Sequence, residues 1–300
     1  MTFAAEAKTE LCQPRIERKC CALAEAYGVL LYCNSFSPEE IRIITSSDSF
    51  SHRLPHLFKK AFGIKFDRQP PETAEGRRSF SITDGEKIKV IYDAFGNDLN
   101  TPSLHVNFGI IEDACDKTAF IRGAFLAGGS VTDPEKRYHL ELATGHYSVS
   151  RETVPILQEL GFEPGESQRR GNHLLYFKKS DEIADLLTAM GAPVASMKIA
   201  EAKVEKEMTN NIMRKVNCDS ANADKTVAAA AEQMEAIRRI ERTYGLSALP
   251  EPLHDAALLR IANPEASLSD LAKLSYPPVS KSCLSHRLRK IAEFNPAEEE

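Results

Sequence analysis

The chain has no tryptophan, no uninterrupted apolar run of membrane-spanning length and no Cys-x-x-Cys pair. A bilayer span needs about 20 mainly apolar residues, so helical membrane proteins are excluded. The first stretch, Met1-Thr-Phe-Ala-Ala-Glu-Ala-Lys-Thr-Glu10, lacks the basic start and apolar core of a signal peptide, and a cytoplasmic protein is expected. Seven cysteines, an odd number at irregular spacing, suit reduced thiols in that compartment better than a disulfide framework. Cys20-Cys21 comes nearest to a metal motif. Adjacent thiols chelate poorly, however, and no histidine stands at ligand spacing, so both read as core packing and no metal site is expected. Gly-x-Gly-x-x-Gly, P-loop and nucleophile-elbow patterns are all missing, so no cofactor is expected either. His139, His146 and His173 are scattered and read as strand or loop surface. Positive charge is also short: 38 Lys and Arg against 43 Asp and Glu leave a formal charge of −5, so any contact with nucleic acid must be local.

Such a local feature stands near the carboxyl end. Ser267 reads as an N-cap, and Leu268, Leu271 and Leu274 recur at helical spacing. Pro277-Pro278 cannot continue that helix. Ser280 then caps a second helix, with Val279 and Leu284 at staple positions and Leu284, Leu288 and Ile291 as one apolar stripe. The opposite face carries Lys281, Ser282, Ser285, His286, Arg287, Arg289 and Lys290. From Pro277 to Ala292 there are four Lys or Arg and no acid. A basic face is ordinarily just solvated. In an acidic chain, following a short helix and a tight turn, it reads instead as the second helix of a helix-turn-helix, which enters the major groove of double-stranded DNA. Ser280, Lys281 and Ser282 at the helix start suit phosphate or base-edge contact. Arg287, Arg289 and Lys290 suit phosphates, with Arg287 also in reach of a guanine edge.

Upstream, the chain repeats itself. Gly28-Val-Leu-Leu-Tyr-Cys-Asn-Ser-Phe36 aligns without gaps with Gly123-Ala-Phe-Leu-Ala-Gly-Gly-Ser-Val131, and Cys20 aligns with Cys115. Alternating strands follow at Glu40–Thr45 and Tyr138–Ala143, then helices that end at Gly63 and Gly161. Two strand-like segments and a last helix, ending at Gly96 or Gly191, complete each copy. Both copies (about 20–96 and 115–191) read helix, strand, helix, strand, strand, helix. Residues 20–192 are expected to be two α+β units about a pseudo-twofold axis.

The repeat resembles the LAGLIDADG homing-endonuclease fold. That family packs its two motif helices through small residues, lays a sheet saddle over duplex DNA, and places an acid for a divalent metal at the foot of each motif helix. Alignment with its pattern puts Leu126 and Gly128 where acids belong in the second copy, and Leu31 and Cys33 in the first. None of these holds Mg²⁺ as a carboxylate does. Arg122-Gly-Ala-Phe-Leu-Ala-Gly-Gly-Ser-Val131, Asp133-Pro-Glu-Lys136 and Tyr138-His-Leu-Glu141 closely resemble the WhiA family, as do Pro277-Pro-Val-Ser-Lys-Ser282 and His286-Arg-Leu-Arg-Lys290. The likeness runs from about Phe3 to Ala292. It implies a fold class of α+β, a duplicated LAGLIDADG homing-endonuclease-like domain followed by an all-α helix-turn-helix domain. It also implies a bacterial, nucleoid-associated transcriptional regulator tied to cell division, chromosome segregation and, in actinomycetes, sporulation.

The expected division is a helical lead-in over 1–19, the repeat over 20–192, a connector and linker over 193–252 and the DNA-binding domain over 253–300. The connector reads as two helices, about 195–216 and from Val227 to Gly245, separated by the polar break Asn217–Asn222. The second of these reads as a spacer docking one domain on another. Glu298–Glu300 reads as a frayed tail. On the repeat, Arg137, His139, Arg169, Arg170, Lys178 and Lys179 lie on or beside strands but are interleaved with Glu141, Glu163, Glu166 and Asp181. The saddle therefore reads about equally as a DNA surface and as a platform for a protein partner. A nuclease using the displaced acids Asp133 and Glu135 is the alternative from another class.

Overall fold

The computed structural model describes residues 2–71, 76–97, 99 and 104–294, so the expected tail at Glu298–Glu300 lies outside the described residues. The chain divides into two compact units, Met1–Lys206 and Glu207–Glu300. In the first unit, helix α1 (Phe3–Leu11) precedes two copies of one motif. The first copy runs α2 (Lys19–Leu31), β1 (Ser35–Phe36), β2 (Ile41–Thr45), α3 (Asp48–Phe62), β3 (Arg78–Ile82) and α4 (Gly85–Phe95). The second runs α5 (Ala114–Gly128), β4 (Gly129–Val131), β5 (Leu140–Thr144), α6 (Tyr147–Glu159), β6 (Gly165–Arg169), β7 (Asn172–Phe177) and α7 (Ser180–Met190). Both sheets are antiparallel, ordered β1-β2-β3 and β4-β5-β7-β6.

The copies differ from expectation in two respects, the first being a short extra strand after the leading helix of each, β1 and β4. Second, among the described residues, the first of the two late strands expected in copy one is a single bridge between Arg68 and Ser81. Pro70-Pro71 lies just beyond it, and prolines offer no N–H to a ladder. The second copy, whose Pro164 precedes the strand instead of interrupting it, forms the full β6–β7 hairpin through Arg170 and Gly171, both at positive φ.

The keel of the unit is the α2–α5 pair. A Cβ on Gly28 would lie 2.0 Å from the Phe120 carbonyl oxygen, and one on Gly123 would lie 2.0 Å from that of Glu25. These contacts are mutual images: adding 95 to 28 gives 123, and subtracting 95 from 120 gives 25. Only hydrogen side chains permit such an approach, so the pseudo-twofold axis passes between these two glycines. Around it, Tyr27 stacks on Phe95, and Phe58, Phe62, Phe66 and Phe80 form an aromatic chain in the same core. The buried Glu25 accepts from Arg53 at 2.5 and 2.8 Å and from Arg122 at 3.3 Å, tying α2 to α3 and α5.

The expected lead-in is an integral layer. Phe3, Ala7 and Leu11 recur every fourth residue and are buried in the main core. Glu10 accepts from the backbone N–H groups of Val194 and Ala195 at 2.7 and 2.9 Å, capping the helix that follows the repeat.

That helix, α8, runs unbroken from Pro193 to Thr243 and corrects the expected polar break at Asn217–Asn222. The segment contains neither proline nor glycine, and its weak helix formers cost only about half a kcal/mol each. Thr226 Oγ1 donates to the Asn222 carbonyl at 2.9 Å, so a polar side chain here bonds back to its own helix. Every residue from 207 to 225 is exposed. The end of α8 is no spacer: Ile237 and Ile240 are buried in the core of the second unit.

Candidate nucleic-acid interface

The second unit packs the end of α8, α9 (Glu251–Ala262), α10 (Leu268–Leu274) and α11 (Lys281–Glu293) around Ala257, Leu271, Leu284, Leu288 and Ile291. Helix α9 begins at Glu251, two residues before the expected boundary, because Pro252 suits the first turn of a helix. The helix-turn-helix caps form as read. Ser267 Oγ accepts from Asp270 N at 3.3 Å, and Ser280 Oγ from Cys283 N at 3.2 Å. The Ser267 hydroxyl also donates to Asp270 at 2.7 Å and, with Lys273 behind it, holds that carboxyl below its ordinary range. Val279 packs on the core that Leu284 enters, and its N–H closes the turn onto the Ala272 carbonyl at 3.2 Å.

The buried stripe of α11 leaves Ser280, Lys281, Ser282, Ser285, His286, Arg289 and Lys290 exposed. Arg289 Nη2 lies 3.2 Å from His286 Nδ1. The first acid on the helix is Glu293, 4.0 Å from Arg289 at the far end. Arg287 is placed differently: half-buried, it lines a cavity of about 160 Å³ with Glu251 and Asp255 of α9. Sequence reading missed Arg260. Only 1% exposed, it donates from Nη1 to the Ala266 carbonyl at 2.6 Å and from Nε to Gln233 at 3.0 Å. It thereby pins the α9–α10 loop to α8 without a carboxylate partner. An arginine on an apolar helix face was the available signal.

The strand cations of the repeat behave otherwise. Arg169 donates to Glu141 at 2.8 Å, His139 lies 3.1 Å from the same carboxylate, and Lys179 pairs with Glu182 at 2.7 Å. Burial opposes the Glu141 charge, yet bonds from His139 and Arg169 hold its carboxyl below the ordinary range. Lys178 sits over the Tyr176 ring at 4.6 Å, while Arg137 and Arg170 are exposed.

The helix feet do not fit a divalent ion. Leu31 and Leu126 are fully buried. Cys33 donates to backbone carbonyls of Leu30 and Ser35, and burial pushes its thiol up to about 12. At Gly128 a Cβ would already lie 2.4 Å from the Ala143 carbonyl oxygen, so no acid fits there. The ammonium of Lys8, on α1, instead donates to the Leu126 carbonyl at 3.1 Å. A fixed cation thus meets the carboxyl end of α5, where a dipole favours one. The displaced acids do not replace the missing pair. Asp133 caps its own turn by accepting from Glu135 N at 3.0 Å.

Among the described residues, metal-ligand side chains converge at one place, the opposite end of the same helices: Cys20, Cys21, Cys115 and Asp116. This corrects the reading of Cys20 as core packing, since Cys20 is exposed, whereas Cys21 is half-buried and does pack against the core. Burial, and then the Cys115 and Cys20 thiols, push Cys21 up to about 12.

The class that this fold and this surface define is the DNA-binding regulator built on a degenerate endonuclease frame. Known proteins agree. The WhiA LAGLIDADG-like domain model matches residues 117–209, and the WhiA C-terminal HTH domain model matches 212–295. "Probable cell division protein WhiA" of Ruminiclostridium cellulolyticum is 35% identical, over 98% of this chain and 97% of its own. The protein of the same name from Desulfitobacterium hafniense is also 35% identical, over 98% and 95%. The crystal structure of full-length DUF199/WhiA from Thermatoga maritima aligns with TM-score 0.61 and 26% identity, over 98% of this chain and 97% of that one. The chain belongs to the WhiA family. No helix among the described residues is long and apolar enough to cross a membrane.

Proposed function

We propose that this chain is a non-enzymatic transcriptional regulator that lays α11 in the major groove of double-stranded DNA. Lys281, Arg289 and Lys290 contact phosphates, while Ser280, Ser282, Ser285 and His286 lie within reach of phosphates or base edges. Arg287 stands at the edge of this surface and serves mainly to orient α11 against α9. One observation carries the reading: α11 buries its apolar stripe in its own domain and turns outward a face with no acid before Glu293. The names of the relatives point to cell division as the process served. Chromosome segregation, sporulation in sporulating relatives and a cytoplasmic, nucleoid-associated location belong to the same proposal, on the family resemblance alone.

The test is a genome-wide footprint of bound DNA, followed by titration of a recovered site at several salt concentrations. Replacing Lys281, Arg289 and Lys290 by alanine is expected to lower affinity about 100-fold, at roughly 1 kcal/mol per charged side chain. The log–log salt slope should flatten by about 0.9 for each phosphate deprived of its cation. Unchanged affinity and slope would refute the assignment.

For the repeat domain, the mutual pairing of Arg169, His139 and Glu141 favours a protein partner over DNA, because phosphate binding needs unopposed cations. A pull-down with the full chain and its Arg169→Glu variant tests this. Loss of a retained protein with DNA affinity intact supports the platform reading, and loss of DNA affinity opposes it.

A further inference from the structure

The amino-terminal ends of α2 and α5 carry a feature that DNA binding does not employ. Cys20 and Cys21 lie in the first turn of α2, and Cys115 and Asp116 in the first turn of α5. The offset of 95 relates them in pairs, Cys20 to Cys115 and Cys21 to Asp116. The glycine contacts fix the two helices so that these turns meet. One ligand atom from each side chain then lies within 4.8 Å of the other three. We propose that these four side chains form a tetrahedral Cys₃Asp site for one zinc-like divalent cation, a staple between the two halves at the end opposite the degenerate feet.

Distances support it. Tetrahedral zinc with Zn–S of about 2.3 Å and Zn–O of about 2.0 Å requires S···S edges of about 3.8 Å and S···O edges of about 3.5 Å. The Cys20 and Cys21 sulfurs are 3.9 Å apart, and Cys115 Sγ is 3.5 Å from Asp116 Oδ1. A disulfide requires about 2.05 Å, so the adjacent thiols stand at coordination distance rather than bonding distance.

Charge supports it independently. Asp116 is only 5% exposed, and among the described residues no Lys, Arg or His pairs with its carboxylate; its side-chain contacts are the Cys115 and Cys20 thiols. A buried carboxylate without an opposite charge costs several kcal/mol, which a divalent cation offsets. Cys21 and Cys115 also line an open cavity of about 520 Å³, which gives an ion a path from solvent.

The donor set selects the metal. Three thiolates favour zinc over magnesium, and a closed set of four leaves no open position for a reacting water, so the site is structural. Each thiol releases its proton to solvent as the ion binds.

Cobalt tests the idea in the full chain, stripped with chelator and kept reduced. One Co²⁺ per chain is expected, with the visible d–d bands of tetrahedral geometry and thiolate-to-cobalt charge transfer, both bleached by Zn²⁺. Cys21→Ser and Cys115→Ser should each weaken zinc binding by more than about 100-fold, beyond what changes to groups that merely orient a ligand produce. Cys218→Ser, at an exposed cysteine on α8, should leave it unchanged. Wild-type protein without those bands overturns the proposal whether or not the serine variants fold. So does a Cys21–Cys115 disulfide in mass spectra of the native chain, or cobalt bands that survive Cys115→Ser.

Discussion

Two helix pairs dominate this molecule, and they spend their side chains in opposite ways. The α2–α5 pair is packed backbone to backbone through Gly28 and Gly123, and polar groups at its centre and feet are consumed internally: Glu25 by Arg53 and Arg122, the Leu126 carbonyl by Lys8. The α10–α11 pair buries only one stripe and leaves Lys281, Arg289 and Lys290 facing solvent. A charge already satisfied by a neighbour has little left for a ligand, whereas a solvated cation gains by releasing counterions from DNA. In this chain the groups at the motif-helix feet are tied to one another, whereas the proposed DNA-binding helix keeps its cations solvated.

The sharpest way to break this contrast is Gly123→Val. A Cβ 2.0 Å from a backbone oxygen cannot be relieved by side-chain motion, so the repeat domain should lose about 4 kcal/mol or more in chemical denaturation. A wild-type midpoint would mean that the pair is looser than described. Next comes Arg260→Ala, which unpins the α9–α10 loop and leaves carbonyls unpaired. A loss of about 3 kcal/mol in the second unit is expected, with weaker DNA binding following from misplacement of α11 rather than from the missing charge. Affinity retained alongside a large drop in stability would separate the two roles.

A subtler probe sits at the old foot. Burial holds Lys8 down to about 8, below its ordinary 10.5, so the folded chain binds fewer protons than the unfolded chain between those values. Stability should therefore rise with pH across that window, and Lys8→Met should remove this component of the slope. Identical slopes in both proteins would place the ammonium in solvent. The smallest effect is expected at Arg169→Ala on the sheet: under about 0.5 kcal/mol in stability and no measurable change in DNA salt slope. A slope change as large as that of the α11 variant would erase the distinction between the two surfaces.

Local signals carried much of this architecture. The Ser267 and Ser280 caps, the Leu284–Leu288–Ile291 stripe and the matched Gly28 and Gly123 segments all obey short-range rules, and each stands where those rules put it. The Asn217–Asn222 break failed because propensity is weak: without proline or glycine, a helix crosses poor formers at small cost. The first-copy strand failed for the converse reason, since Pro70-Pro71 removes ladder donors from a segment whose pattern still alternates.

Spacing along the chain determined that there are two copies and a capped cationic helix, because each of these is written within a few residues, and the resemblance to the family pattern added the missing carboxylates at the motif feet. Which groups neutralise one another was decided only in three dimensions. Lys8 reaches Leu126 across 118 residues, Arg53 reaches Glu25 across 28, and Cys20 and Cys21 meet Cys115 and Asp116 across the pseudo-twofold axis. Electrostatic energy depends on distance in space and on burial, and neither follows from order along the chain.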